Sequence, residues 1–501
     1  MISKSLMYSI CLSLSIGFCL MMVFGREAFS LTFVFGILST SVILDDVVKI
    51  LRGKRDLLDP ALLIGVVGTF LFLISPVSQM AWDYWPFLQN MNEHAVWIDT
   101  WAGLNFLGLL IYKWSSSTSF KKTNPRMSNV NGMRRWNFLD ARFRIVAPAF
   151  LGMCFLAQLI IYISFGGISG FVNAFTQRQE YGALSGNDPF EGMGLIMLVA
   201  ESFKYIFAMY VIYLIRKSGR FQSNNAFLLV MAILAITFIF FGGLRGSRSA
   251  TLFPLFFAAG MYHYYVRKLD TTLIAFGAVI TILFSVSYYW YKIAGLQGIE
   301  AIYNVEARSS FHSQRQDANQ YMISRDLGRM DFQSLALKNI ATGENAPSFG
   351  RTYLVAIFSS IPKSIIPFNP PQITKEKTEL LHGEGTYIHN APRQTTLVLG
   401  QFGEAIVNFG PLGGLAFYFL LGRWVYMVRH LAKKLHASDV RRLFLPVLNF
   451  MPVLMLITDM NVILYQLTRY LTLPIILFLV CAKIFTFKFS SGMGGQKCII
   501  K

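Results

Sequence analysis

The chain has 501 residues, 54% of them apolar and 15% aromatic, with a formal net charge of +19. This composition excludes an ordinary soluble domain, and apolar runs recurring from end to end exclude a singly anchored one. The positive charge does not mark a nucleic-acid binder: it gathers in short loops on the side a positive-inside bias assigns, and no nucleic-acid motif interleaves with it.

The first apolar run, 5–24, follows Lys4 and lacks a small-residue cleavage site, so it reads as a retained helix. The second, about 28–46, ends in the basic-rich stretch Asp45 to Arg55. The third, about 61–77, leads into QMAWDYWPFLQNMNEHAVWID, aromatic and free of Lys and Arg, which reads as an outer loop. The fourth, about 98–112, opens onto Lys113, Lys121, Lys122, Arg126, Arg134, Arg135, Arg142 and Arg144, the strongest inside mark in the chain. It places the N-terminus in the cytoplasm. The fifth and sixth runs (about 145–166 and 193–215) flank a second outer loop and end at Arg216, Lys217 and Arg220.

The seventh and eighth (about 226–243 and 250–266) form a tight outer hairpin, closed inside by Arg267 and Lys268. The ninth (about 271–290) precedes a polar segment of roughly a hundred residues, long for a loop. The tenth (about 403–422) ends in a basic loop, and the last two (about 443–458 and 462–484) return the chain to the cytoplasm. The expectation is an all-α polytopic membrane protein of about 12 transmembrane helices. Spans one to nine fill 1–291, a large periplasmic loop with short helices fills 292–395, the last three spans fill 396–485, and 486–501 is a cytoplasmic tail. Among the five cysteines (Cys11, Cys19, Cys154, Cys481 and Cys498) none falls in the long polar segment, which excludes a disulfide framework there, and no Cys/His pair has zinc spacing.

Three places could carry chemistry. The hairpin Phe241-Gly-Gly-Leu-Arg-Gly-Ser-Arg-Ser249 puts Arg245 and Arg248 on the side where short loops are poor in arginine. Its glycines would bend the backbone into an anion-binding nest, and Ser247 or Ser249 would cap the following helix, whose dipole points at the same spot. That suits a diphosphate; lipid-snorkelling arginines are the bland alternative. In the long segment, residues 308–340 space their apolar positions as amphipathic helices do. Arg315, Arg325, Asp326 and Arg329 would then lie mostly on a solvated face, with Arg325–Asp326 the best functional pair. Downstream, the proline-rich 361–371 reads as an extended band at the membrane surface, from which Lys363 could reach a phosphate.

The third place is Gly383 to Gly414, where a polar loop becomes an apolar helix. The changeover falls among His389, Arg393 and Glu404, and a carboxylate there is costly unless a partner or water reaches it. His389 suits a base or phosphate ligand, Arg393 bidentate phosphate binding, and Glu404 a base or the holder of an arginine, Arg393 or Arg469. Within the sixth span, Glu201 and Lys204 stand one turn apart and could neutralise each other.

GLRGSRSATLFPL, a long loop containing IPKSIIPFNPP, and then TLVLGQFGEAIVNFGPLGG together resemble the O-antigen polymerase (oligosaccharide repeat-unit polymerase) family. The tail is similar to that family's G-E-x-x-x-N-F-G-x-x-G helix at Gly403, Glu404, Asn408, Phe409, Gly410 and Gly413, while His389-Asn390 is also similar to O-antigen ligases. The matched segments cover about a sixth of the chain. The resemblance implies a GT-C-like membrane glycosyltransferase of the bacterial inner membrane working on the periplasmic face. Undecaprenyl-diphosphate-linked oligosaccharides would be donor and acceptor, with a chain-length regulator as candidate partner. In this reading Arg245, Arg248, Arg325, Arg393 and Lys363 bind the departing diphosphate, and Glu404, His389 and Asp326 are the candidate bases. No metal or other cofactor is implied. A ligase passing polymer to a lipid A core, a flippase for lipid-linked oligosaccharides and a non-catalytic scaffold are the rival readings.

Overall fold

The computed structural model describes residues 4–25, 30–85, 91–117, 134–181, 193–219, 221–245, 248–294, 300, 303–304, 323–324, 328–361, 374–387 and 398–486. Lipid offers backbone amides no water, so an apolar stretch must satisfy its own N–H and C=O groups, and each of the apolar runs forms a helix. In chain order these are α1 (Lys4–Phe24), α2 (Leu31–Leu51), α3 (Pro60–Ala81), α4 (Met91–Ser117), α5 (Asp140–Ser164), α6 (Ile168–Tyr181), α7 (Gly194–Ser218), α8 (Asn224–Phe240), α9 (Ser249–Tyr265) and α10 (Thr271–Ala294). The long polar segment contributes α11 (Met330–Thr342), α12 (Arg351–Ser359) and α13 (Thr374–His382). The chain then closes with α14 (Gly400–Lys434), α15 (Leu445–Ile457) and α16 (Met460–Cys481). Nine helices among the described residues are long and apolar enough to cross a membrane. Helices α8 and α9, 17 residues each, rise about 25 Å, short of a hydrocarbon core of about 30 Å.

One sheet departs from the all-helical expectation. Strand β1 (Arg134–Phe138) pairs antiparallel with β2 (Ala482–Thr486), Arg134 opposite Thr486. The last span therefore stops at Cys481 rather than running to 484, because Ala-Lys-Ile-Phe-Thr finds a partner strand beside the basic loop. Trp136 stacks on Phe478, ring centroids 5.6 Å apart, and anchors the pair to α16.

At the basic end, carboxylates on α2 and at the start of α3 pin four helices together. Lys113 of α4 lies 2.6 Å from Asp45 and 2.5 Å from Asp46. Arg429 of α14 grips Asp59 through Nε and Nη2 at 2.7 and 2.9 Å. Buried carboxylates persist only with such partners.

The opposite end is organised by a reversal inside α14. Gly410 has φ +69° and ψ −165°, a conformation open to glycine alone, and Pro411 follows it. A Cβ on Gly413 would strike the Ala405 carbonyl, and one on Gly414 would lie 2.8 Å from Phe402 Cε2. In one straight helix residues 402 and 414 would stand about 18 Å apart. Residues 400–409 and 411–434 are therefore two half-helices folded back on each other, packed closely because Gly413 and Gly414 have no side chains. Glu404 accordingly does not mark the entry of a straight span; it sits on a short helix that climbs out again after the chain has dipped inward.

Helix α11 follows the same path. It is buried on most of its circumference, at Met330, Phe332, Ala336 and Leu337 and also at Asp331, Gln333, Ser334 and Asn339. The helix that the spacing predicts is thus present from Met330, buried around most of its surface. Trp101 Nε1 donates to Gln333 Oε1 at 2.7 Å, while Gln333 Nε2 donates to the Leu399 carbonyl, so α11 is wedged between α4 and the start of α14. Arg329 is likewise not on a solvated face: its Nη2 donates to the Ile457 carbonyl at 3.2 Å, capping the end of α15.

Candidate functional site

Two constellations of polar groups stand away from the basic loops, the first at the start of α16 and the second nine positions further along it. The first centres on Glu404, which has no exposed surface. Thr352 Oγ1 of α12 donates to Oε1 at 2.8 Å; Gln401 Nε2 and the Met460 amide donate to Oε2 at 2.8 and 2.7 Å. Three helices thus meet on one carboxylate. Asn408, one turn further on, donates to Thr352 Oγ1 at 2.6 Å and accepts from the Gly350 amide at 3.0 Å. The break at Gly410 frees carbonyls that a continuous helix would satisfy, since Pro411 has no N–H. Ser348 and Phe349 fill the gap, their amides donating to the Val407 and Asn408 carbonyls at 3.0 Å each.

Beside Glu404 lies Asp459, also fully buried, in the turn between α15 and α16. Its Oδ1 accepts from the Leu399 and Gly400 amides at 2.9 and 3.1 Å, capping the half-helix from outside. Its Oδ2 accepts from Lys377 Nζ of α13 at 3.0 Å, and the Lys377 side chain is itself 6% exposed. Burial raises the Tyr353 hydroxyl pKa well above its usual value, with the charges of Glu404 and Asp459 adding to the effect. The neutral hydroxyl is thus held beside the two carboxyls.

The second constellation lies under the hairpin. Lys204 is fully buried and donates to the Ala250 carbonyl at 2.9 Å. A Cβ on Gly242 would come within 2.5 Å of its Nζ, so this glycine serves close approach to a lysine. Gly246, the third glycine of the expected nest, lies outside the described residues; in the described part of the hairpin Gly242 and Gly243 have no positive φ and residues 243–245 form a 3-10 turn. Its carbonyls are tied from outside, Gly243 by the Tyr288 hydroxyl and Leu244 by the Tyr291 hydroxyl at 2.9 Å. Arg248 occupies the N-cap position of α9 and its own side chain makes no capping hydrogen bond; Ser249 is the first helical residue, and Ser247, the other candidate cap, lies outside the described residues.

The charge pairing differs from the local one that the sequence favours. Glu201 pairs with Arg469 of α16, not with Lys204, and Arg469 is therefore not the partner of Glu404. Side chains one turn apart can meet, but here the Lys204 ammonium is turned to the Ala250 carbonyl and the guanidinium reaches Glu201 from a facing helix. Helix α16 links the two constellations: Met460 touches Glu404 and Arg469 touches Glu201, nine positions or about 14 Å apart along the axis.

Arg325, Asp326, Lys363, His389 and Arg393, and the side chain of Arg245, lie outside the described residues. Sequence reasoning misses Asp459, Lys377 and Thr352. Asp459 carried a usable signal, a carboxylate between two apolar spans far from the basic loops. Thr352 and Lys377 carried none, each being one polar residue among many in the long segment.

Compared with known proteins, the chain matches no family model, no curated protein sequence and no solved structure.

Proposed function

We propose that the chain is a membrane glycosyltransferase that polymerises polyprenyl-diphosphate-linked oligosaccharide repeat units, with its site on the periplasmic face of a bacterial inner membrane. In the reaction the bond from the donor's reducing-end sugar to the diphosphate breaks. A bond from that carbon to a hydroxyl of the acceptor's terminal sugar forms, the hydroxyl proton goes to a base, and polyprenyl diphosphate leaves. Cationic groups near the membrane surface would hold the departing charge: Arg248 with Arg245 on the hairpin, and Arg325, Arg393 and Lys363 from the long loop.

The observation that carries the reading is the folding-back of the long polar segment into the bundle. It puts a carboxylate, Glu404, in a protein-lined setting, and α16 links it to the constellation under the arginine-bearing hairpin. For Glu404 to act as base an acceptor hydroxyl must displace one of its donors. Gln401 is the replaceable one, because its Nε2 also has the Thr458 carbonyl at 3.2 Å. His389 and Asp326 are the other candidate bases.

The broken α14 favours a second reading, a transporter, since half-helices with free termini bind substrates in many carriers. Here the half-helix amides are taken by Asp459 and the freed carbonyls by the Ser348 and Phe349 amides, so protein fills the positions a cargo would use. Purified protein in detergent, given lipid-linked repeats, should lengthen them; unchanged repeat length would overturn the polymerase. In cells, loss of long polymer with single repeats still on the lipid A core supports polymerase, whereas loss of all core attachment supports ligase.

A further inference from the structure

Helix α12 is apolar on both sides. Thr352, Val355 and Ala356 face the protein, yet the outward stripe is Leu354, Ile357 and Phe358, 59%, 52% and 45% exposed. A helix bathed in water would carry polar residues on that stripe. The neighbouring surface is apolar too: Phe349 and Phe409 are largely exposed, and Leu412 is 77% exposed on the spanning half of α14. These residues form one surface. The Phe349 amide binds the Asn408 carbonyl, a Cβ on Gly350 would touch Phe409 Cζ at 3.4 Å, and Tyr353 stacks on Phe409 with centroids 6.3 Å apart. Arg351, paired with Glu376 at 2.7 Å, stands at the start of α12 as a polar border.

We infer that α12 lies in the bilayer surface, with Leu354, Ile357 and Phe358 in contact with lipid acyl chains. The argument is continuity. Among the described residues the stripe extends the lipid-facing flank of a membrane-crossing helix without an intervening polar band, and a helix with an exposed apolar face takes up this position at interfaces. The long loop would then be fastened to the membrane, keeping the Thr352–Glu404 contact at fixed depth.

The test places single cysteines at Leu354, Ile357 and Phe358, in protein reconstituted into vesicles, and measures labelling by a membrane-impermeant maleimide above the background of the unsubstituted chain. Leu412→Cys is the lipid reference and Glu384→Cys the water reference. In parallel, Phe358→Trp is read with bromine-labelled acyl chains. The inference expects the three stripe positions to lose most of the labelling seen at Glu384→Cys, and the emission that Phe358→Trp adds to be quenched by bromine. Labelling as fast as Glu384→Cys would overturn it, because the stripe would face water. Protection without quenching would overturn it equally, because a second copy or another protein would then cover the stripe.

Discussion

Phe402 and Tyr418 hold their ring centroids 5.5 Å apart although sixteen residues of one helical stretch separate them. An uninterrupted helix would put about 24 Å between them. The contact exists because Gly410 turns the chain, so Gly410 is where the far-end structure is most vulnerable. Gly410→Ala forces a side chain into a backbone region reserved for glycine and should lower stability by about 1–3 kcal/mol. Gly414→Leu, which drives atoms into Phe402, should cost at least as much. Thermal unfolding in detergent checks both; wild-type melting of Gly414→Leu would contradict the close-packed reversal.

Arg248→Ala should insert normally and lose polymerisation by on the order of 100-fold, the usual cost of one charge-stabilising donor. Arg393→Ala should behave the same way. Chain-length analysis of the product, alongside membrane levels of each variant, is the measurement. Wild-type polymer from both would remove the diphosphate assignment.

Thr352→Val keeps the shape of the side chain but withdraws one donor from Glu404 and one acceptor from Asn408. Each buried group so orphaned costs about 1–3 kcal/mol. The variant should melt earlier, and the loop at 348–350 should exchange its amide hydrogens faster. Unchanged exchange there would mean that the Asn408 link does not hold the loop.

Lys377→Met leaves Asp459 buried without its cation and should cost on the order of 3–5 kcal/mol. Adding Asp459→Asn keeps an acceptor for the Leu399 and Gly400 amides and removes the uncompensated charge. The double variant should therefore be more stable than Lys377→Met alone, a sign reversal that a double-mutant cycle detects.

At the basic end, Asp56 gives the chain a pH dependence. Burial pushes its carboxyl upward, but His263 at 2.6 Å, the Leu58 amide and Lys268 at 3.2 Å outweigh that and hold it well below the usual carboxylate range. A depressed folded-state value stabilises above the unfolded value of about 4, and the contribution is lost as the pH falls below it. Melting temperature should drop between pH 5 and pH 3 more steeply in wild type than in Asp56→Asn, a comparison across about two pH units around that value. Parallel curves would refute the assignment.

The helices of this fold are legible in the sequence because lipid enforces a simple rule on long apolar runs. What the residues do not announce is where a run turns. Gly410-Pro411 reads locally as a kink, and only the contacts of Gly413 and Gly414 with Ala405 and Phe402 make it a reversal. Charge partners are hidden for the same reason. Lys204 is near Glu201 in sequence, but Arg469, far away in the chain, arrives on a facing helix and wins. Glu404 is recognisable as a costly charge, while its partners Thr352, Gln401 and Met460 come from three separate places.

The pairing of Arg134–Phe138 with Ala482–Thr486 also sets an order on assembly. The first strand leaves the ribosome more than three hundred residues before its mate and must wait with its edge open while most of the remaining chain is made. An unpaired edge invites stray pairing. Arg134 and Arg135, within the strand itself, carry charge that discourages this and make the wait tolerable until the last helix delivers the closing strand.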